Sequence, residues 1–367
     1  MIRATTTCFL LLVAMFLLVA SANPGLELIH AQKSIGRVED GQQITIFTGA
    51  VHFRQDTLDM FCDEAIFFEN RDQLQFSGNV LIRDGRRLTV RARKILYHIK
   101  TKEAECFDAV QIKTPRDSVY AERLQYNFRT DRAAAQQRLH IHNSNDWVYL
   151  WGEEGSYKPD LNYSKVQFQA RLVKIDSSTQ DTLKINAHRL EYWSTEDPRA
   201  VATDTVLIRQ GALTAICDSA VYFTETEQLN LYGRPWAKYE DSELSGLRMQ
   251  ASFDSLKLRQ IVAHDEAKAI SLVDSLAQKF NVLRGRSIIF DVEADKPKLI
   301  TALDNASSVY YLKEDETDQG ANYATSDTIR VFFKEGELDS IQIRGGAEGI
   351  FYPSDYTGAR IFEGERE

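Results

Sequence analysis

Apolar and polar side chains alternate with a period of two through most of the chain, and the alternation slips by one residue at regular intervals. In Leu58-Asp-Met-Phe-Cys-Asp-Glu-Ala-Ile-Phe67, the residues Leu58, Met60 and Cys62 share one face, whereas Ala65 and Phe67 are in the opposite phase. A period of two is the mark of a strand with one buried face. The slip predicts a bulge or corner near Asp63-Glu64, where the strand bends. Helical periodicity is weak everywhere. Residues 260–282 are the least strand-like stretch and are the place expected for a short helical insertion.

The pattern repeats. A small residue followed five positions later by an aromatic or aliphatic one occurs at Cys62/Phe67, Ala92/Tyr97, Ala121/Tyr126, Gly152/Tyr157, Ala187/Tyr192, Cys217/Tyr222, Ala251/Leu256, Gly285/Phe290 and Ala324/Ile329. The small residues lie 30, 29, 31, 35, 30, 34, 34 and 39 positions apart. A second half-repeat falls between them, as Phe76-Ser-Gly-Asn-Val80-Leu-Ile82 and Cys106-Phe-Asp-Ala-Val110-Gln-Ile112, with a first copy at Phe47-Thr-Gly-Ala-Val51-His-Phe53. Polar turns separate the strands, and Asp84-Gly85 between Ile82 and Leu88 is a hairpin signal. The chain therefore reads as an all-β array of about nine strand–turn–strand units of some 30 residues.

The first residues have a different character. Arg3, an apolar run from Cys8 to Ala20 and Ala20-Ser-Ala22 have the three parts of a secretory signal peptide. The run is shorter than the roughly 20 residues that a bilayer span needs. Cleavage after Ala22 is expected, with retention as an N-terminal anchor as the alternative. Without residues 1–22, one Arg is lost from 44 Lys and Arg, leaving 43 against 53 Asp and Glu and a net charge of about −10. No Lys/Arg cluster is present, which argues against nucleic acid as a partner. Cys62, Cys106 and Cys217 are too few for a disulfide framework, although a Cys62–Cys106 bridge is one option in an oxidising compartment.

Units of about 30 residues in which Gly-Asn-Val-x-hydrophobic and Ala-x-x-x-x-Tyr boxes alternate resemble the repeat of the OstA/LptA family of lipopolysaccharide-transport proteins. The resemblance is clearest over residues 44–130, where Phe76-Ser-Gly-Asn-Val80 is followed by Leu88-Thr-Val-Arg-Ala92-Arg-Lys-Ile-Leu-Tyr97, and it continues more loosely to about residue 350. It implies an elongated antiparallel β-jellyroll, a folded shell of two facing sheets. It also implies a non-enzymatic periplasmic carrier or bridge associated with outer-membrane assembly, whose interior binds the acyl chains of lipopolysaccharide or a related glycolipid. Its partners would be other jellyroll-containing transport proteins at the inner and outer membranes, joined through edge strands, and the same edges allow a homo-oligomer. Compared with the family's shorter members the repeats are about twice as many, and the length for an outer-membrane barrel is lacking, so a long periplasmic bridge, or the periplasmic half of a barrel protein, is expected.

The expected divisions are a signal peptide (1–22), an N-terminal jellyroll part (23–175), its continuation (176–352) and a tail (353–367). Alternation assigns the lipid-binding lumen to Val51, Phe53, Met60, Phe76, Val80, Ile82, Val90, Val110, Ile112 and Val119. The recurring small residues are expected to leave a channel between the sheets.

No catalytic residue, metal or cofactor is assigned. Cys62-Asp63 and Cys217-Asp218 read as buried small residues in the slot held elsewhere by Ala or Gly. His140-Ile-His142 puts two imidazoles on one strand face without a pattern that completes a metal site. Tyr97, Tyr126, Tyr157, Tyr192 and Tyr222 read as a structural aromatic row rather than a sugar-binding ladder. The competing readings are a structural or adhesive cell-surface β-solenoid and a carbohydrate-active β-helix. The drifting repeat length favours antiparallel hairpins over the constant rung of a solenoid.

Overall fold

A computed structural model describes residues 25–39, 41–274, 279–314 and 317–358. The leader (1–22) and the end of the tail (359–367) lie outside the described residues. The chain divides into two compact units, Met1–Phe168 and Gln169–Glu367, and the boundary falls inside a strand.

The first unit contains β1 (Leu26–His30), β2 (Lys33–Glu39), β3 (Gln42–Gln55), β4 (Leu58–Phe68), β5 (Gln73–Asp84), β6 (Leu88–His98), β7 (Glu103–Lys113), β8 (Asp117–Asn127), β9 (Arg132–Asn143), β10 (Val148–Lys158) and the start of β11 (Tyr163–Ile175). The second continues with β12 (Thr182–Trp193), β13 (Arg199–Gln210), β14 (Leu213–Phe223), β15 (Gln228–Tyr232), β16 (Trp236–Tyr239), β17 (Ser242–Ser245), β18 (Arg248–Asp254), β19 (Lys257–Asp274), β20 (Lys279–Glu293), β21 (Lys296–Glu314), β22 (Thr317–Lys334), β23 (Glu337–Arg344) and β24 (Glu348–Pro353). Only two single-turn 3₁₀ segments interrupt the strands among the described residues. Among the described residues of 260–282 the expected helical insertion is not there: β19 runs to Asp274 and β20 starts at Lys279, and each pairs with an extended neighbour that satisfies its backbone.

From β3 to β10 each strand pairs antiparallel with the next, and every pairing shifts register once near its middle. The shift has one cause. Alternate strands carry two consecutive residues with left-handed backbone: Gly49-Ala50 in β3, Gly78-Asn79 in β5, Asp108-Ala109 in β7 and Gln137-Arg138 in β9. The device recurs in the second unit at Asp204-Thr205, Asp265-Glu266 and Asp304-Asn305. It inserts one extra residue opposite the straight neighbours, bends the strand and resets the alternation. The corner foreseen at Asp63-Glu64 is real in β4, but the extra residue belongs to β5 across the ladder. Gly, Asn and Asp bear most of these positions because they tolerate left-handed backbone best.

Past each corner the apolar face still points inward, so the two halves of the strands form two facing walls. We call the halves next to the turns at Asp56, Gly85 and Arg116 the first wall, and those next to the turns at Asn70, Thr101 and Thr130 the second. Phe47 and Phe53, on either side of one corner in β3, meet edge to face at 5.3 Å between ring centroids. Phe53 of the first wall then meets Phe76 of the second at 6.1 Å.

Strands β1 and β2 run along different halves of β3, so each wall of the first unit ends in a short edge strand; in the second unit β23 and β24 run along different halves of β22. β2 is exposed along nearly its whole length, with Val38 68% accessible.

At Gly78 the backbone has φ of +72°, and an added Cβ would lie 2.9 Å from the Cβ of Asp63, whose carboxylate accepts a hydrogen bond from Asn79 Nδ2 at 2.8 Å. Gly78→Val is expected to cost about 1–3 kcal/mol through backbone strain alone. Chemical denaturation of the two proteins checks this, and an unchanged midpoint would remove the corner from its central place in the fold.

Candidate functional site: the apolar interior and its rims

All ten residues assigned to the lumen face the interior of the first unit and are at most 2% accessible. Register joins six of them into one continuous cross-strand row, Phe53–Met60–Ile82–Val90–Ile112–Val119. Val51, Val80 and Val110 stand just past the corners, and Phe76 lies on the second wall.

The small residues do something other than line a channel. Cys62 pairs with Val51, Ala92 with Val80 and Ala121 with Val110, and these small residues are only 5–8% accessible. They sit at the corner, each directly across the ladder from its Val. Met60, Phe76, Ile82, Val90 and Ile112 are at 0% accessibility, so no water-sized space borders them. The interior of this unit is filled.

A second inner row alternates large and small as Leu74–Tyr97–Ala104–Tyr126–Ala133–Tyr157. The tyrosine rings are buried, at 0–2% accessibility. Their hydroxyls reach the free rims of the walls. Tyr97 donates to Gln55 Oε1 at 2.6 Å, and Gln55 Nε2 donates to the carbonyl of Ile99 at 3.2 Å. Tyr157 donates to Asp117 Oδ2 at 2.8 Å, and Asn143 Nδ2 donates to the other oxygen of that carboxylate at 2.8 Å. Tyr126 donates to Asp131, which also pairs with Arg87, while Lys102 pairs with Asp56 and Arg116 donates to Asn162. In each case a turn of the first wall meets the second wall, so a row of polar bonds latches the two rims together. The sequence showed the tyrosines but not their partners; those of Tyr97 and Tyr157 lie 42 and 40 residues away.

In the second unit the interior opens into a cavity of about 210 Å³ between β19–β21 and β22–β23. One side is apolar, with Ile300, Val331, Phe333 and Ile341; the other carries Asn281, Ser308 and Tyr310. None of these residues was assigned to the lumen. Their signal was present, since Ile329, Val331 and Phe333 alternate as the lumen residues do.

The three described cysteines are free and buried. Burial pushes the thiol of Cys62 up to about 12 and that of Cys217 up to about 11, and it raises Cys106 as well. No group of three or more His, Cys, Asp or Glu among the described residues is placed to hold a metal ion. His140 and His142 stack instead on Trp151 and Tyr149, at 4.9 and 4.3 Å.

Residues 25–182 match the family described as OstA-like protein, a stretch that takes in the whole described first unit. Over that stretch the chain is similar to OstA-like proteins. No curated protein matches it. Among solved structures it is similar to LptH of Pseudomonas aeruginosa, described as the LptA-homologous periplasmic component of the lipopolysaccharide transport device. The identity is 18% and the TM-score 0.30, over 32% of this chain and 82% of that one.

Two outcomes follow for the OstA-like unit. Tyr157→Phe leaves Asp117 without its rim partner and is expected to lower stability by about 1–2 kcal/mol, read as a shifted denaturation midpoint. A thiol reagent at pH 8 should leave Cys62, Cys106 and Cys217 unmodified until denaturant is added, because the protonated, buried thiol is a poor nucleophile. The same burial makes the folded chain hold these protons when the unfolded chain, with thiols near 9, releases them. Their contribution is therefore intact below pH 9 and is lost as pH rises toward 12. A thiol that reacts in the native protein at pH 8 would contradict the packing described.

Proposed function

We propose that this protein is a non-enzymatic carrier of lipopolysaccharide or a related glycolipid in the periplasm, holding acyl chains between its two walls during outer-membrane assembly. The observation that carries this reading is apolar burial in each unit: the first packs an apolar interior between its two walls, and the second holds a cavity lined on one side by Ile300, Val331, Phe333 and Ile341. The OstA-like match supports it. Acyl chains gain about 0.8 kcal/mol per buried CH₂, and a space between sheets held by rim bonds can admit them by parting.

The short edge strands at both ends support edge-to-edge joining with partner jellyrolls at the two membranes, or with a second copy, since an unpaired edge offers a row of backbone donors and acceptors. The lumen residues, from Val51 to Val119, would contact the cargo once the rims part, and the cavity at Val331 is where a chain would lodge first.

Native mass spectrometry of the protein titrated with lipopolysaccharide tests this. Discrete adducts of lipopolysaccharide mass are expected. Val331→Trp, which fills the cavity, should weaken them about tenfold, the equivalent of roughly two displaced CH₂ groups. Ile82→Asp should abolish them; circular dichroism shows whether that variant is folded. A bare protein that ignores lipopolysaccharide at micromolar concentration would sink the carrier reading and favour a structural β-protein.

A further inference from the structure

The period of two that buries one face of the first wall displays the other, and that outer face has a composition of its own. Strands β3 to β10 present two rows there. One runs from His52 through Phe61, Arg91 and Tyr120 to His140 and Trp151, and the other from Arg54 through Arg83 and Lys113 to His142 and Tyr149. All of these side chains are half-buried or exposed.

The charge on this face is one-sided. Away from the corner, where Asp63, Glu122 and Glu153 stand with Arg93, its acids are Asp59 and, on β1, Glu27, and register places both beside Arg54. Asp59 accepts from His52 Nε2 at 2.8 Å and from Arg54 Nε at 2.9 Å, and these bonds hold its carboxyl below the usual range. Arg83 lies over the ring of Phe61 at 6.0 Å. Arg91 and Lys113 are exposed, with no carboxylate in ion-pair distance among the described residues. In a chain of net charge −9, this face away from the corner thus carries Arg54, Arg83, Arg91 and Lys113 against Asp59 and Glu27.

The aromatic groups at the far end of that face are rigid. His140 and Trp151 are parallel within 2° at 4.9 Å, His142 and Tyr149 within 4° at 4.3 Å, and Tyr120 stacks on His140 at 5.7 Å. Rings held face to face across neighbouring strands turn their edges, with the polar tips of Tyr and Trp, toward solvent. Amphipathic Tyr and Trp beside Arg and Lys make up the chemistry of the membrane–water interface. Eight strands about 4.8 Å apart make a face on the order of 35 Å across.

We propose that this outer face of β3–β10 rests on an anionic phospholipid surface, with Arg91 and Lys113 over the headgroup phosphates and the edges of Tyr120, Tyr149 and Trp151 in the interface. The contact stands apart from the interior and does not depend on what the interior carries.

Flotation of the full chain with phosphatidylcholine vesicles, with or without about one third phosphatidylglycerol, decides it. Binding is expected only with the anionic lipid and should weaken as salt shortens the Debye length. The double variant Arg91→Gln/Lys113→Gln should lower the partition constant about thirtyfold, with an unchanged melting curve as the folding control. Lys94→Gln/Arg132→Gln on the other wall should leave binding as it was. Equal binding to both vesicles overturns the proposal, as does anionic binding that the Arg91/Lys113 variant leaves intact, which would place the contact on residues 1–22 or another surface. Absence of any vesicle binding overturns it too and turns the face over to a soluble partner.

Discussion

The structure depends on a conflict between the geometry of a strand and the shape of a two-walled shell. A strand alternates its side chains strictly, so folding it over would send one of its halves outward. The pair of left-handed residues in alternate strands resolves this by inserting one residue at the corner, so that the same apolar face stays inside on both walls. The other features follow. Small residues pair with valines at the corner, tyrosines alternate with alanines nearer the turns, and the turns of the two walls come close enough to bond.

Two kinds of force hold the walls together, and they act at different depths. Each fully buried side chain of the interior is worth about 1.5–3 kcal/mol, whereas a rim hydrogen bond contributes about 1 kcal/mol. The apolar interior therefore supplies most of the cohesion. The rim bonds are directional, and they fix how far apart the rims stand. In the proposed carrier the rims are the weaker boundary, and they part before the ladders do.

The period of two also gives every strand a second message. The inner face is constrained by packing, and the outer face is free to vary in charge. The first unit uses that freedom unevenly, with a basic, aromatic outer face on one wall and a mixed one on the other. Stacked rings such as His140 on Trp151 stiffen the sheet from outside, and the His140-Ile-His142 pattern, which looked like half a metal site, is explained by that stacking.

Much of this was determined by the sequence alone. The alternation of Leu58, Met60 and Cys62 marks the buried face, the slip before Ala65 marks the corner, and Gly78-Asn79 is the chemistry a corner needs, so the all-β architecture and the inward side of every assigned lumen residue were legible. Local backbone preference and side-chain phase are properties of neighbouring residues, and a linear reading captures them. What only the tertiary structure decided involves distance across the fold. That the small residues close the corner instead of lining a channel depends on how near the walls come. That Tyr157 finds Asp117, and Tyr97 finds Gln55, depends on which turns meet. That the cavity opens among Ile300, Val331 and Ile341 depends on the two walls diverging there, and the extended β19 in place of a helix depends on partners that supply its hydrogen bonds. These outcomes arise from pairs of residues far apart in the chain, whose approach no local pattern encodes.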